Sequence, residues 1–361
     1  MMIKVFSGFF QKYFREEEAI ILTVILIAFF TVMMTMGSII APLLWSLVLS
    51  YVLQGLVNSL VRVHVPPHAA VYLVYCFFVG SMVLITLIFL PFTWNRLAGL
   101  INDLPRMVEQ MRGLLLLLPE RYPEIFSVAQ VQRWIEAIQS ELGVLGQTML
   151  SYSFSSATRI ATWAVYTVLV PIMVFFMMRD SEKLLNWLEN WLPEKRPVMA
   201  QIWHEMNDQL ANYIRGKALE ILIVGLCSFV LFSLLDLNYA LLLAVLVGFS
   251  VIIPFIGATL VTIPVFFVGF FEWGFGSELY QLMVAYIVLQ IIDGNILVPL
   301  IFSETVNLHP IAIIAAVLVF GGLWGFWGVF FAIPLATFIK ALIRAWPISH
   351  KPLYVELSPG E

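Results

Sequence analysis

A carboxylate stands in the middle of an apolar run, YIVLQIIDGNILVPLI, at residues 286–301. Asp293 has Gln290 three residues before it and Asn295 two residues after it. An Asp at the centre of a membrane helix costs about 2.5 to 3.5 kcal/mol on insertion scales, so it calls for a compensating partner or a purpose. Gln290 and Asp293 share a helix face, and Gly294 and Pro299 weaken the helix around them. Such a set can bind a cation or carry a proton. The plainer reading is an Asp satisfied by backbone amides or by a water-filled dent.

A second signal is an internal echo. AVLVGFSVIIPFIGATLVTIP at 244–264 returns as AVLVFGGLWGFWGVFFAIP at 316–334. Ser250, Pro254 and Gly257 mark the tip of the first copy, and Pro264 closes it. Gly321, Gly322, Gly325 and Gly328 mark the second, and Pro334 closes that one. Gly321 and Gly325 also satisfy GxxxG, a helix-packing signal, so close approach to a substrate path and plain packing are both open. Paired apolar segments, broken at mid-depth and entering from opposite faces, mark transporter sites. His309, between Asn307 and Pro310, either titrates near neutral pH or caps a helix with Pro310 in its first turn. Glu220, beside Arg215 and Lys217, reads as half of an ordinary ion pair.

The elements that position these residues follow from composition. The chain of 361 residues is 61% hydrophobic and only 12% charged, with a mean hydropathy of +0.95. A soluble globule carries roughly twice that charge. The expected class is an all-α polytopic membrane protein with about eight transmembrane segments, two of them inverted Gly/Pro-broken hairpins, and a small helical periplasmic insertion. The expected order is three spans over 1–91, the insertion over 92–156, a fourth span over 157–178 and cytoplasmic interfacial helices over 179–217. A transport region follows over 218–346, with hairpins at 239–271 and 310–343, and then a cytoplasmic tail over 347–361. With both termini in the cytoplasm, that side collects Arg62, Arg179, Lys183, Lys195, Lys217, Lys340 and Arg344, while the short connections near Gly37, Asp236 and 272–278 carry no Lys or Arg. The run at 19–36 is too long for a signal peptide and lacks a cleavage site, so it reads as a retained first span.

Two amphipathic blocks interrupt the spans. In the first, Trp94, Leu97, Ile101, Leu104, Val108, Met111, Leu115 and Leu118 form a heptad-like stripe, and Asp103 followed by Pro105 predicts a helix restart. A second helix is expected over 127–143, after a turn holding Pro119 and Pro123. The stripe packs either on the membrane domain or in an oligomer seam. In the second block, Val198, Ile202, Met206, Leu210 and Ile214 follow Trp187 and Trp191, as in an interfacial helix.

Other chemistries find no motif. A net charge of -4 gives no basic patch for nucleic acid. Cys76 and Cys227 have no metal-ligand spacing, and His204-Glu205 lacks the second His of a zinc helix because Asp208 stands there. No GxSxG, Walker A or dinucleotide fingerprint occurs, so neither an enzyme nor a cofactor or metal is expected.

The stretches YIRGKALE (213–220), GFSVIIPFIGA (248–258), DGNILVP (293–299), NLHP (307–310) and GGLWGFWGVFFAIPLATFIKA (321–341) resemble the autoinducer-2 exporter family of bacterial permeases. The likeness extends, less specifically, over nearly the whole chain. It implies a multi-pass protein of the bacterial inner membrane that forms a homo-oligomer, a pentamer as in relatives. It also implies transport of a small molecule, or exchange of Na+ or Li+ for H+. The competing class is a non-transporting scaffold that recruits partners through its amphipathic blocks.

Overall fold

The computed structural model of the chain describes residues 17–121, 123–124, 126–137, 139–140, 144, 157–193, 196–254, 256–302 and 308–346. The tail at 347–361, Lys195, Asn307 and the end of the helix expected over 127–143 lie outside them. Every regular element among the described residues is helical. In order they are α1 (Glu17–Arg62), α2 (Pro67–Leu84), a π-helical turn (Ile85–Phe89), α3 (Leu90–Arg121) and α4 (128–137). Then come α5 (Ala157–Arg179), α6 (Ser181–Glu189), α7 (Pro197–Leu234), α8 (Ala240–Ser250), α9 (Ile256–Trp273) and α10 (Ser277–Ile292). A second π turn (Asp293–Leu297), α11 (Val298–Phe302), α12 (Pro310–Trp324), α13 (Phe326–Phe330) and α14 (Ala332–Ala345) complete the order.

Six helical stretches among the described residues are long and apolar enough to cross a membrane, two of them within α1, which kinks at its non-helical Met36, or seven if α5 and α6, bent by 80°, count as one broken span. Ala240–Ser250 and Pro310–Trp324 are apolar but shorter. The outward face of α7 shows why a bilayer is needed. Leu219, Leu222, Leu226 and Val230, spaced by three and four, are 49%, 68%, 65% and 49% exposed. A contiguous aliphatic stripe of this kind is stable against lipid and costly against water.

Three boundaries differ from the sequence reading. Helix continues from α2 through the π turn into α3, so the 92–156 block starts as an extension of the third span. The expected restart at Pro105 is absent, because α3 runs through both Pro105 and Pro119. Pro105 lies on the exposed side, where the carbonyl it leaves unpaired can be solvated. The third change matters most: α7 passes without a break through 217/218, joining the expected interfacial helix to the fifth span.

The chain forms two compact units, 1–41 with 180–213 and 304–361, and 42–179 with 214–303. In the first unit, Leu22, Met199 and Ile202 pack with Phe338 and Leu342. The buried Glu18 carboxylate accepts the Met199 amide at 2.7 Å, placing a negative charge at the N-terminal turn of α7, where the helix dipole favours it. Helices α12, α13 and α14 pack on one another over the stretch expected as the second hairpin. Trp324 is stacked by Phe30 and Phe320 at 5.3 and 5.7 Å, and Tyr213 of α7 donates its hydroxyl to the Phe330 carbonyl at 2.9 Å.

In the second unit one core joins α7 to the first broken hairpin and α10, through Val224, Phe232, Leu243, Val247, Val265, Leu282 and Tyr286. Another joins α1, α2 and α5 through Leu53, Val57, Val74, Phe78 and Val174. Along α3 the stripe from Leu97 to Leu115 is half-buried or buried, whereas Trp94 is exposed. A polar tie holds α3 to the start of α8: the Tyr239 hydroxyl donates to Asp103 Oδ2 at 2.5 Å. Removal from water, and then the Asp103 carboxylate, push the Tyr239 hydroxyl up to about 12, so it remains a donor at neutral pH. Beside it, Asn238 donates through its backbone and side-chain amides to the Glu272 carboxylate at 2.8 Å.

Both hairpins are closed by a glycine pressed on a carbonyl. A Cβ on Gly257 would lie 1.8 Å from the Ser250 oxygen, and one on Gly328 the same distance from the Phe320 oxygen. Overpacking of this kind costs about 1–3 kcal/mol even after relaxation. Gly257→Ala and Gly328→Ala should each lower the apparent unfolding temperature in detergent, while Gly322→Ala, with open space around it, should not. Tyr239→Phe should raise hydrogen exchange of the α3 amides near Asp103 and leave that of α10 unchanged.

Candidate functional site

Asp293 opens the second π turn, and it is buried while Ile291, Ile292, Gly294, Asn295 and Ile296 are all exposed. It continues the buried face of α10 on which Leu279, Leu282 and Tyr286 lie, and a π turn of this kind is common at functional positions. Asn295 supports the turn by donating its side-chain amide to the Ile291 carbonyl at 2.9 Å.

The partners of Asp293 come from α7. Lys217 is 5% exposed and Glu220 2%. The Lys217 ammonium lies 2.8 Å from Glu220 Oε2 and donates to the Val251 carbonyl at 2.9 Å. It also sits 5.3 Å from the centre of the Phe302 ring. Val251 is the C-cap of α8, so its carbonyl belongs to the negative end of the broken helix. Lys217 interacts electrostatically with Asp293 as well as with Glu220. Asp293 Oδ1 is buried without a hydrogen-bond partner. Arg215, two residues before Lys217, is occupied elsewhere and donates to the Tyr51 carbonyl at 3.1 Å.

The cluster therefore brings together two carboxylates and one ammonium in a buried setting. With every group ionised it carries one net negative charge. Burial of an uncompensated ion costs several kcal/mol even after relaxation, so one more positive charge belongs there. Oxygen ligands of this kind suit a proton or a monovalent cation. No three His, Cys, Asp or Glu among the described residues gather as a metal site.

The other sequence candidates sit apart from this cluster. Gln290 donates to the Tyr286 hydroxyl at 2.6 Å, and both line a groove of about 500 Å³ between α9 and α10, walled by Phe266, Phe267 and Met283 with Thr262 beside them. Gln290 and Asp293 thus serve different surroundings, although three residues separate them. Ser250 ends α8 and bonds back to the Val247 carbonyl at 2.7 Å; Pro254 lies in the break between α8 and α9, and Pro264 lies within α9. In the other unit, the Gly321 carbonyl accepts the Gly325 amide at 2.8 Å, Gly325 has φ +57 at the break, Gly322 lies on α12, and Pro334 is buried in the first turn of α14. His309 caps α12, its Nδ1 accepting from the Ile311 amide at 3.3 Å.

Sequence reasoning missed Lys217 as a site residue and gave Glu220 only a local ion pair. The available signal was their three-residue spacing immediately before an unbroken apolar run.

Comparison with known proteins bears on the whole chain. The model of the AI-2E family transporters matches residues 22–348. The chain is 44% identical to permease PerM of Escherichia coli (strain K12) over 346 residues, covering 96% of this chain and 98% of that one. It is 27% identical over 313 residues to the transport protein YueF of Bacillus subtilis (strain 168), covering 84% of each. It is 24% identical over 322 residues to the AI-2 transport protein TqsA of Escherichia coli (strain K12), covering 85% and 86%. The chain thus belongs to the AI-2E family of membrane transporters.

Proposed function

We propose that this transporter is a secondary exchanger of the bacterial inner membrane that moves Na+ or Li+ against H+ through the Asp293 cluster. The observation that carries the reading is Asp293 itself: a buried carboxylate with an unpartnered oxygen, beside a pair in which one Lys already serves another carboxylate. An intramembrane acid in that position is a proton or ion site by default. The half-helix α8, capped by Val251, supplies the kind of backbone carbonyl on which such sites are built. The working assembly in this reading is a homo-oligomer, a pentamer, with both termini in the cytoplasm.

A second reading, export of a small organic molecule, is favoured by the groove at Gln290, whose aromatic walls and polar end suit an uncharged ligand. TqsA, a 24% identical relative, is named for AI-2 transport. The scaffold reading finds less support, since the α3 stripe on which it depends is largely packed within its own unit.

Purified protein in liposomes loaded with a pH-sensitive dye tests the choice. Addition of NaCl or LiCl should drive proton movement that choline chloride does not. Asp293→Asn should abolish it, while Ile101→Asp on the stripe should leave it largely intact. Absence of cation-driven flux in the wild type would overturn the exchange reading in favour of the organic one. Undiminished flux in Asp293→Asn would remove this residue from the mechanism.

A further inference from the structure

The Lys217 ammonium occupies ligands that would serve a free monovalent cation equally well. Glu220 Oε2 lies 2.8 Å away and the Val251 carbonyl 2.9 Å away. The first is an anionic oxygen, and the second is the carbonyl at the C-terminal end of a half-helix, a position that coordinates Na+ in broken-helix transporters. The Phe302 ring face at 5.3 Å favours positive charge from another side. Asp293, nine-tenths buried, offers an oxygen without a partner and is near enough to Lys217 to interact with it electrostatically.

We propose that Glu220 and the Val251 carbonyl form a monovalent-cation subsite that Lys217 fills as a resident ion, and that an arriving cation displaces Lys217 onto Asp293, expelling the Asp293 proton. The proposal rests on the exchange reading above and gives it a stoichiometry. In the proton-loaded state, Lys217 is positive, Glu220 negative and Asp293 a neutral acid. In the cation-loaded state, the metal ion neutralises Glu220 and the Lys217 ammonium neutralises the Asp293 carboxylate. One cation has bound, the Asp293 O–H bond has broken and one proton has left; Lys217 stays protonated throughout. Both states have zero net charge, which low-dielectric surroundings require. Binding a cation without losing the proton, or losing the proton without binding a cation, leaves an uncompensated charge among residues that are 2–9% exposed. Exchange is therefore one for one and electroneutral, and Lys217 makes cation and proton mutually exclusive.

Charge counting gives this inference a signature that a structural role would not produce. In Asp293→Asn, Lys217 and Glu220 already neutralise each other and no proton can leave, so cation binding should weaken by roughly tenfold or more. Removing the ammonium as well, in Lys217→Gln/Asp293→Asn, leaves Glu220 alone. Cation binding and release of one proton per cation should then return, now from Glu220. Glu220→Gln should eliminate binding in either background.

The experiment is titration of the detergent-purified full chain with NaCl and LiCl in weakly buffered solution. It reads heat of binding and protons released per cation, with choline chloride as the blank. Size-exclusion profile and apparent unfolding temperature check each variant. One proton per cation in the wild type, loss in Asp293→Asn and recovery in the double variant are the expected results. Absence of cation-linked proton release in the wild type, undiminished binding in Asp293→Asn, or a double variant that binds no better than Asp293→Asn would each overturn the proposal. If Asp293→Asn fails to fold, the double variant is compared with the wild type instead: one proton released per bound cation upholds the proposal, and loss of binding overturns it. Binding with this signature but without flux in liposomes would sink the exchange reading and leave the subsite standing; flux that ignores all these variants would sink the subsite and leave cation–proton exchange by a route outside the Asp293 cluster.

Discussion

The contact between the Lys217 ammonium, Glu220 and the Val251 carbonyl holds together the part of the molecule that the function requires. A broken helix leaves carbonyls without partners at its end, and in a membrane each such group costs several kcal/mol unless the protein satisfies it. Lys217 meets that need for the first hairpin, and Glu220 meets the charge that Lys217 brings. Buried ion pairs are weak sources of stability, but loss of one member typically costs about 3–5 kcal/mol because the other is left uncompensated. The arrangement therefore fixes the end of α8 against α7 and commits the region to strict charge balance. Asp293 is the group that leaves this balance one positive charge short.

The second unit and the first solve the hairpin problem in similar ways. Each break is closed by a glycine whose missing side chain admits the carbonyl of the preceding helix, and each has a carbonyl met by a polar side chain of α7, Lys217 in one unit and Tyr213 in the other. Tyr213 is neutral where Lys217 is charged. The two repeats are thus alike in backbone construction and unlike in chemistry: the ionisable cluster belongs to the hairpin at 239–271, and the second hairpin is packed with aromatic rings around Trp324.

Much of this was legible in the sequence, for identifiable reasons. Asp293 stood out because its cost in an apolar run is large, and the breaks at Pro254 and Gly325 stood out because Pro and Gly weaken helices. Helix continuity was harder to read. Lys217 looks like the polar edge of a span, yet α7 carries it inside, since its charge is met by a carbonyl 34 residues away in sequence and by a carboxylate one turn along. Pro105 looks like a helix start, yet α3 tolerates it on an exposed face. The π turn at Asp293 and the separate surroundings of Gln290 and Asp293 depend on tertiary contacts, and the side-chain period alone places the two residues together.

Infrared difference spectroscopy of the reconstituted full chain addresses the central claim most directly, because it observes the carboxyl groups themselves as cation is exchanged for choline. The account predicts that Na+ or Li+ removes a protonated-carboxyl carbonyl band, that a carboxylate band appears in its place, and that both changes vanish in Asp293→Asn. A spectrum in which no protonated carboxyl responds to the cation, or in which the same band is lost from the Asp293→Asn protein, would contradict it.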